Sequence, residues 1–411
     1  MSFARCFYSL AENLRKNRLS HKTIAAVLLV IEFILSVIPY LARVRFLRLT
    51  APGRIGHLAL EPDIFVKTRL LGMRGWYYGV LISPPGNAAN ECMLDYWSRY
   101  ITVVRSPLWA KLIGRFYRFS YLQYDLSRYV LAINETAPYV AVLRDWGDRP
   151  PVLTLTDEDR REGREKLAAM GIPAGAEYVC FHFREGGYSP SDEDLHSFRN
   201  CSIDNYLLAV SELARRGIWC IRMGDPTMHP IAPMDKVIDY AHHEVRSARM
   251  DIFLSASCKF FIGSSSGLLF VASAFGKPSA AANQAPLSTA LAFAQKDVAL
   301  PMLLWSEREG QYLNFVKAFA SDAANFRFTN LYRENQIRVI ENSAEDIRDL
   351  VLELLERTEG RVVYSPEDER LQQRFKALMR PGHYSYEGGA RVGRDFLRKY
   401  ASLLEDVRDK L

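Results

Sequence analysis

The clearest candidate for a chemical site is a run of small residues that follows an apolar strand. Residues 260–268 read FFIGSSSGL, and a helical pattern follows. Such a loop lets an anion approach backbone N–H groups at the positive end of a helix, and serine hydroxyls add donors. We therefore predict that Ser264, Ser265, Ser266 and Gly267 bind a phosphate group, although a plain tight turn has the same composition.

A second candidate lies at the end of another predicted strand. Residues 178–183 are apolar and alternating, and Arg184, Glu185 and a glycine pair follow them. An arginine at the carboxyl end of a strand can pair with a diphosphate, although a surface ion pair with Glu185 is the alternative. Arg222 ends the strand predicted at 218–222 and is a candidate of the same kind.

A general base is predicted in the segment GRIGHLALEPD, at residues 53–63. His57 and Glu61 are four residues apart, so on a helix they share a face. A neutral histidine can accept a proton from a hydroxyl, and Glu61 could orient it or act as the base itself. The alternative is that His57 caps the helix and Glu61 favours its positive end. Glu185 and Asp192 are competing choices for the base.

The sequence gives no pattern that predicts a metal or a cofactor. Asp192-Glu193-Asp194 has the spacing of a metal-binding DxD, but a solvated acidic loop is the commoner meaning of that tripeptide. His242 and His243 are adjacent, whereas a helical metal site has histidines four residues apart. We predict no metal site.

Strands and helices alternate along the chain, which predicts an α/β fold of two Rossmann-like lobes. The first lobe is predicted at 46–149, and the second, which holds both phosphate candidates, at 150–365. The Pro/Gly-rich residues 144–151 are predicted to link them. Ligands of open parallel sheets bind beyond the carboxyl ends of the strands.

The last part of the chain is predicted to be helical. Residues 366–411 contain helical patterns at 367–378 and 391–404 and are predicted to return across both lobes. A weaker strand is predicted at 299–304, which Pro301 interrupts.

Residues 23–42 form an apolar stretch interrupted by Glu32 and Pro39, about 30 Å long as a helix. Five basic residues precede it and three follow closely, so the flanks give no clean orientation for a span. We predict that residues 1–45 are membrane-associated and lie in the bilayer rather than across it. A buried core helix is the alternative.

The amino-acid composition limits the kinds of molecule that the protein is expected to bind. The chain has 411 residues, 53 Lys+Arg and 47 Asp+Glu, and its excess of six positive charges lies within residues 1–50. Because the rest is balanced, nucleic acid is not a predicted partner. The six cysteines form no closely spaced pairs, which favours a reducing compartment. Residues 97–129 interleave aromatic and basic side chains, which suits either a lipid-facing surface or a core.

Several segments resemble one family. The runs HFREGGY, FRNCSIDNYLLAV, GIWCIRMGD, DIFLSASCKFFIGSSSGL and AFGKP are similar to a family of bacterial glycosyltransferases of surface polysaccharide synthesis. The serine loop with FGKP is more distantly similar to the donor loop of lipopolysaccharide heptosyltransferases, and HFR to the arginine motif of fucosyltransferases. The acidic residue of the heptosyltransferase loop is missing here, so a serine would have to serve.

The resemblance implies a metal-independent, two-lobed GT-B glycosyltransferase. Arg184 and the loop 264–267 would bind the diphosphate of a nucleotide-sugar donor, and the acceptor would be lipid-linked or a polysaccharide. From the amino-terminal segment we also predict a place at the cytoplasmic face of the inner membrane, with the membrane surface as a partner. A nucleotide-sugar epimerase or hydrolase, or an inactive sugar-nucleotide-binding partner of an assembly complex, are the alternatives. The sequence leaves open the sugar, the nucleotide and the stereochemistry of transfer.

Overall fold

The computed structural model describes residues 21–130, 138–186 and 190–405, without the side chains of residues 21, 22 and 190–192. Contacts divide the chain into two compact units. Of the described residues, the small unit contains 21–48, 74–87 and 97–125, and the large unit contains 49–73, 88–96, 126–130, 138–186 and 190–405. This division differs from the predicted boundary near residue 150, because the helix at 55–70 packs on the helix at 268–274 and joins the large unit.

The helices lie mostly where apolar periodicity and capping residues predict them. In the described residues they are α1 His21–Leu41, α2 Ile55–Leu70, α3 Glu91–Trp97, α4 Pro107–Ile113, α5 Pro138–Trp146, α6 Asp157–Ala169, α7 Pro190–His196, α8 Asp204–Arg215, α9 Ala248–Ser257, α10 Leu268–Ala274, α11 Phe315–Ala320, α12 Thr329–Glu334, α13 Ala344–Thr358, α14 Pro366–Ala377 and α15 Arg394–Lys399. At α6, the hydroxyl of Thr156 accepts from the Asp159 N–H at 3.0 Å, as the predicted cap requires.

The strands are short and mostly buried. In the described residues they are β1 Val44–Arg48, β2 Tyr78–Ile82, β3 Thr102–Val104, β4 Gln123–Asp125, β5 Tyr178–His182, β6 Trp219–Arg222, β7 Val237–Asp239, β8 Phe261–Gly263, β9 Ser279–Gln284, β10 Val298–Pro301, β11 Leu303–Ser306, β12 Gln311–Tyr312, β13 Ile337–Ile340 and β14 Arg391–Val392.

The small unit is built on a parallel sheet of four strands in the order β3-β2-β1-β4. The register pairs Phe46 with Val80 on one side of β1 and with Gln123 on the other. α1 precedes this sheet and has a mean hydropathy of 2.5 over Thr23–Leu41. Its length and composition would allow it to cross a membrane, a test that core helices and signal sequences also pass. Only 11% of that window is buried, so α1 is not the core helix that was the alternative.

The large unit is built on a sheet of seven parallel strands in the order β14-β10-β9-β8-β5-β6-β7. Along the chain, β5, β6 and β7 run outward on one side, and β8, β9 and β10 run outward on the other. This is the strand order of a doubly wound nucleotide-binding sheet. The mixed α/β class with parallel sheets is thus confirmed. A separate antiparallel sheet, β12-β11-β13, belongs to the same unit.

Two predicted elements differ. The stretch 299–304 forms two strands, because Pro301 ends β10 and β11 pairs antiparallel with β13. The predicted helix at 391–404 instead begins as β14, which pairs with β10 at the sheet edge, and continues as α15 and a 3-10 turn, Ala401–Leu404. Pairing of an edge strand with distant residues leaves little local signal in the sequence. The apolar periodicity that predicted a helix in this segment corresponds to α15.

Candidate functional site

The two phosphate candidates follow the two strands at the centre of the large sheet. β5 and β8 are parallel neighbours, with Phe181 opposite Ile262. The chain leaves β5 in one direction and returns to β8 on its other side, so this is the topological switch point. In open parallel sheets the connecting helices diverge at such a point and leave a crevice beyond the carboxyl ends of the strands, where ligands bind. Arg184 follows β5, and Ser264 follows β8.

The serine loop is held by hydrogen bonds to the end of β5. The Ser264 hydroxyl accepts from the Arg184 N–H at 2.9 Å, and the Ser266 hydroxyl is 2.9 Å from Nδ1 of His182. The N–H of Ser266 donates to the carbonyl of Ser264 at 2.7 Å, which makes the loop tight. Ser264 and Ser266 are buried and Ser265 is half-buried. Ser265 is thus the serine of the three that is most accessible.

Two arginines and an asparagine surround this loop. Nε of Arg184 donates to Oδ1 of Asn200 at 3.0 Å, and Nη2 of Arg199 donates to the Ser265 carbonyl. Asn200 in turn donates to Glu193 at 3.2 Å. Arg184 was predicted from the sequence as a site residue, whereas Arg199 and Asn200 were not. The sequence feature that could have indicated them is the FRN run at 198–200, which is part of the resemblance described above. The Arg199 guanidinium contacts the loop and the Arg184 guanidinium is bound to the neighbouring Asn200, so positive charge in this region favours an anion.

His182 was also missed by sequence reasoning, although it stands inside the HFR motif. Burial, together with the positive charge of Arg222, lowers its pKa to about 4. At neutral pH the ring is therefore uncharged and acts as a hydrogen-bond partner of Ser266 rather than as a cation.

The beginning of α2 lies directly against the serine loop because two glycines meet there. A Cβ added to Gly56 would lie 2.8 Å from Cα of Gly267, and one added to Gly267 would lie 2.8 Å from N of Gly56. Since both backbones approach closer than any side chain allows, glycine is required at both positions. The contact brings His57, the next residue of α2, beside a loop more than 200 residues away in the sequence.

His57 and Glu61 form the pair that the spacing predicted. Nδ1 of His57 is 2.7 Å from Oε1 of Glu61, and Oε2 of Glu61 accepts from the Thr50 N–H at 3.1 Å. Glu61 is fully buried, whereas 21% of the His57 side chain is exposed. A carboxylate can only accept, so Nδ1 is the donor of this hydrogen bond, and in the neutral form of the ring Nε2 is then the nitrogen without a proton. In the described residues Nε2 has no hydrogen-bond partner.

Arg222 and Glu185 form an ion pair with each other. Arg222 is fully buried, and its guanidinium contacts Oε1 of Glu185 at 3.1 Å and Oδ1 of Asp239 at 3.1 Å. The other oxygen of Glu185 accepts from the His229 N–H at 3.1 Å. Burial and these partners favour a structural role over the donor-binding role predicted for Arg222 and the catalytic role predicted for Glu185.

The acidic segment after β5 is partly helical rather than a continuous loop, since residues 190–196 form α7. The side chain of Asp192 lies outside the described residues, and so do residues 187–189. Among the described residues, no group of three or more His, Cys, Asp or Glu side chains could hold a metal ion.

The arrangement defines a class of site. A parallel α/β unit presents a small-residue loop at its switch point, with the Arg199 side chain and the Arg184 backbone bound to that loop and a histidine–carboxylate pair in the adjacent helix turn. Such a site can hold a phosphorylated ligand and take a proton from a hydroxyl beside it.

Comparison of the sequence with family models and with curated proteins finds no match. Among solved structures, the chain is similar to a glycosyl transferase family 9 protein from Veillonella parvula DSM 2008, with 12% identity and a TM-score of 0.37, over 58% of this chain and 80% of that one. It is also similar to E. coli ADP-heptose LPS heptosyltransferase II, with 11% identity and a TM-score of 0.43, over 77% of this chain and 99% of that one. At these scores the similarity assigns no function.

Proposed function

We propose that the protein is a glycosyltransferase that moves a sugar from a nucleotide-sugar donor to a hydroxyl of an acceptor. The observation that carries the proposal is the Gly56–Gly267 contact, because it joins a histidine–carboxylate pair to a phosphate-type loop at the switch point. A binding protein for nucleotides needs the loop but has no use for the pair. The motifs quoted above, which resemble those of polysaccharide glycosyltransferases, support the same proposal.

In the proposed reaction, Nε2 of His57 takes the proton of the acceptor hydroxyl as its oxygen forms a bond to the anomeric carbon. The bond between that carbon and the diphosphate breaks, and the electron pair leaves with the nucleoside diphosphate. Arg184, Arg199 and the donors of the serine loop stabilise the charge of the leaving group. Glu61 keeps the His57 ring in the tautomer that accepts at Nε2 and stabilises the imidazolium that forms. The carbohydrate product and the nucleoside diphosphate then depart.

The finer parts of the proposal rest on the sequence resemblance and, for the location, on the amino-terminal segment. They are the GT-B architecture, independence from metal, a lipid-linked or polysaccharide acceptor, and a place at the cytoplasmic face of the inner membrane. The apolar, largely exposed helix α1 supports work at a membrane, where a lipid-linked acceptor would be found.

The first test is a thermal-shift panel of nucleoside diphosphates and nucleotide sugars on the full chain. A ligand at about 100 times its dissociation constant stabilises a protein by about 2.7 kcal/mol, which is readily measured. Donor turnover is then measured with and without acceptor extracts, in the presence and absence of EDTA. Turnover that requires acceptor supports a transferase. Equal turnover without acceptor indicates an epimerase or hydrolase, and binding without turnover an inactive partner.

A further inference from the structure

α1 carries its polar residues on the side that faces the protein and its apolar residues on the outside. Its covered stripe runs at helical spacing through Ile24, Leu28, Glu32, Ser36 and Pro39, which are buried or half-buried. Its other faces expose large apolar side chains. The most exposed are Val30, Phe33, Ile34, Ile38 and Leu41. In a helix that faces water the polarity is the reverse.

The polar stripe is bound to the segment 114–121 of the same unit. Glu32 is 3% exposed, and its two oxygens lie 3.0 Å from Nη1 of Arg115 and 2.9 Å from Nη1 of Arg118. Ser36 hydrogen-bonds the Tyr121 hydroxyl. Two ring contacts, Phe33 with Phe119 and Tyr40 with Tyr121, flank these polar contacts. α1 is therefore held between Glu32 and Tyr40 by contacts within the small unit.

A second exposed apolar element, α4, precedes the turn that contacts α1. α4 is a single short helix with no buried residue, capped at Ser106. It exposes Leu108 and Trp109 by more than half, together with Lys111. The turn Gly114–Arg118, which contacts α1, follows it directly. Tryptophan beside lysine is the composition of a membrane–water interface.

We propose that the outer side of α1 together with α4 is a membrane-docking surface that inserts into one leaflet of an anionic bilayer, with α1 in the membrane plane. Glu32 decides between this and a span. It lies near the middle of a helix of about 32 Å, so a span would take Glu32, Arg115 and Arg118 to the bilayer centre, where charged groups are costly. In the membrane plane the same three charges face the protein, and the apolar side chains face lipid.

The choice of an anionic bilayer as the occupant rests on charge. Basic residues stand at both ends of α1, with Lys16 and Arg18 before it, Lys22 in its first turn, and Arg43 and Arg45 after it. A second copy of the chain would bring the same positive charges together, whereas anionic headgroups would neutralise them. The proposal deepens the membrane association of the proposed function, but the surface does not take part in the proposed chemistry.

The first experiment measures flotation of the full chain with vesicles of phosphatidylethanolamine and phosphatidylglycerol. We expect Ile38→Asp, at a side chain 66% exposed, to reduce the bound fraction about tenfold or more. Val363→Asp is the matched control, since Val363 is 75% exposed and belongs to the large unit. It should bind like the wild type. An equal effect of both variants, or none, would overturn the proposal.

The second experiment measures on which side of the membrane the start of α1 lies. The protein, with Cys6→Ser and Cys92→Ser and a single new cysteine at Ser20 or Ala42, is added to preformed sealed vesicles and treated with an impermeant maleimide. An in-plane helix leaves both positions reactive from outside. Protection of Ser20→Cys until detergent is added, with Ala42→Cys reactive throughout, would mean a span.

A third measurement excludes self-association as the use of this surface. Sedimentation of the lipid-free protein in mild detergent should give the same mass for the wild type and for Ile38→Asp. A dimer that only the wild type forms would assign the surface to a second copy. The nucleotide thermal shift is measured on each variant, so failure of the surface proposal is distinguishable from failure of the proposed function.

Discussion

α1 and α2 each bury one glutamate, yet the two carboxylates have opposite kinds of partner. Glu32 of α1 meets two arginines, so both of its oxygens are neutralised and nothing remains for chemistry. Glu61 of α2 meets a backbone N–H and one nitrogen of His57. The His57 side chain is partly exposed, and in the described residues its second ring nitrogen, Nε2, has no hydrogen-bond partner. The partners of a buried carboxylate, rather than its burial, decide whether it anchors an element or orients a reactive group.

The surroundings of the two helices differ in the same sense. α2 is buried on all sides from Leu58 to Thr68, so Glu61 has no freedom to turn toward water. α1 is buried only along its polar stripe, and the arginines that meet Glu32 are themselves 37% and 48% exposed. A fixed geometry suits catalysis, whereas docking tolerates water at its edge.

The largest effect is expected from removing the reactive member of the α2 pair. We expect His57→Ala to lower transfer turnover by about 10²-fold or more with donor affinity kept, because a general base acts in the transition state. His243→Ala, in a loop of the large unit, is the matched control and should keep its turnover. Near-normal turnover of His57→Ala on the true acceptor would show that His57 is not the general base. The buried glutamate of α2 would then have a structural role, as that of α1 has.

Donor affinity is expected to depend on the switch point. Arg184→Ala should weaken binding of a nucleoside diphosphate by about 1.5–3 kcal/mol, the value of a charge-assisted hydrogen bond. Arg216→Ala removes an arginine from a surface pair on α8 and serves as the control. Isothermal calorimetry measures both. If the two variants bind alike, Arg184 does not contact the donor.

The glycine contact that joins α2 to the serine loop can be tested by stability. Gly267→Ala places a Cβ 2.8 Å from a backbone nitrogen, so we expect a loss of about 1–3 kcal/mol in the free energy of unfolding and weaker nucleotide binding. Gly53→Ala adds a Cβ where nothing lies within 4 Å and should be neutral. Denaturant unfolding that finds both variants equal to the wild type would contradict the close contact.

The uncharged state of His182 predicts a pH dependence of stability. Its folded pKa of about 4 lies below the ordinary value, so the unfolded chain takes up the proton first as the pH falls. The contribution of His182 to the free energy of unfolding is therefore present above its unfolded pKa of about 6.5 and is lost as the pH falls from there to about 4. We expect a loss of about 2 kcal/mol between about pH 7.5 and about pH 5.

The test is the difference in unfolding free energy between the wild type and His182→Gln over this pH range. A difference is needed because Asp297 acts in the opposite direction, since burial raises its pKa to about 6. A difference that does not change with pH would mean that His182 titrates normally.

The smallest effect is expected in α1. Glu32→Gln leaves Arg115 and Arg118 able to turn toward water, so we expect a loss of about 1 kcal/mol or less in detergent, and unchanged donor binding. A loss of several kcal/mol in a denaturant titration would mean that the arginines are as confined as His57, and that the contrast between the helices is smaller than their exposure indicates.

The elements that were predicted correctly from the sequence are those whose signal is local. The buried runs of β5 and β8, the cap at Thr156 and the helical spacing of His57 and Glu61 depend on neighbours within a few residues, and the structure has them nearly where they were predicted. The predictions were wrong at β14 and at β10 and β11, because an edge strand and a change of sheet depend on pairing with distant residues.

Within the site, residue types alone made Arg184 and Arg222 equivalent, since each follows a buried strand. Tertiary structure separated them. Glu185 and Asp239 enclose Arg222, whereas Arg184 lies beside the serine loop. Likewise no local pattern tells that Gly56 must meet Gly267, because the requirement comes from two backbones approaching across a fold. Residue types and local spacing identify the side chains that can do chemistry. Which of these side chains remain available depends on the folded chain, because burial and partners are properties of the whole chain.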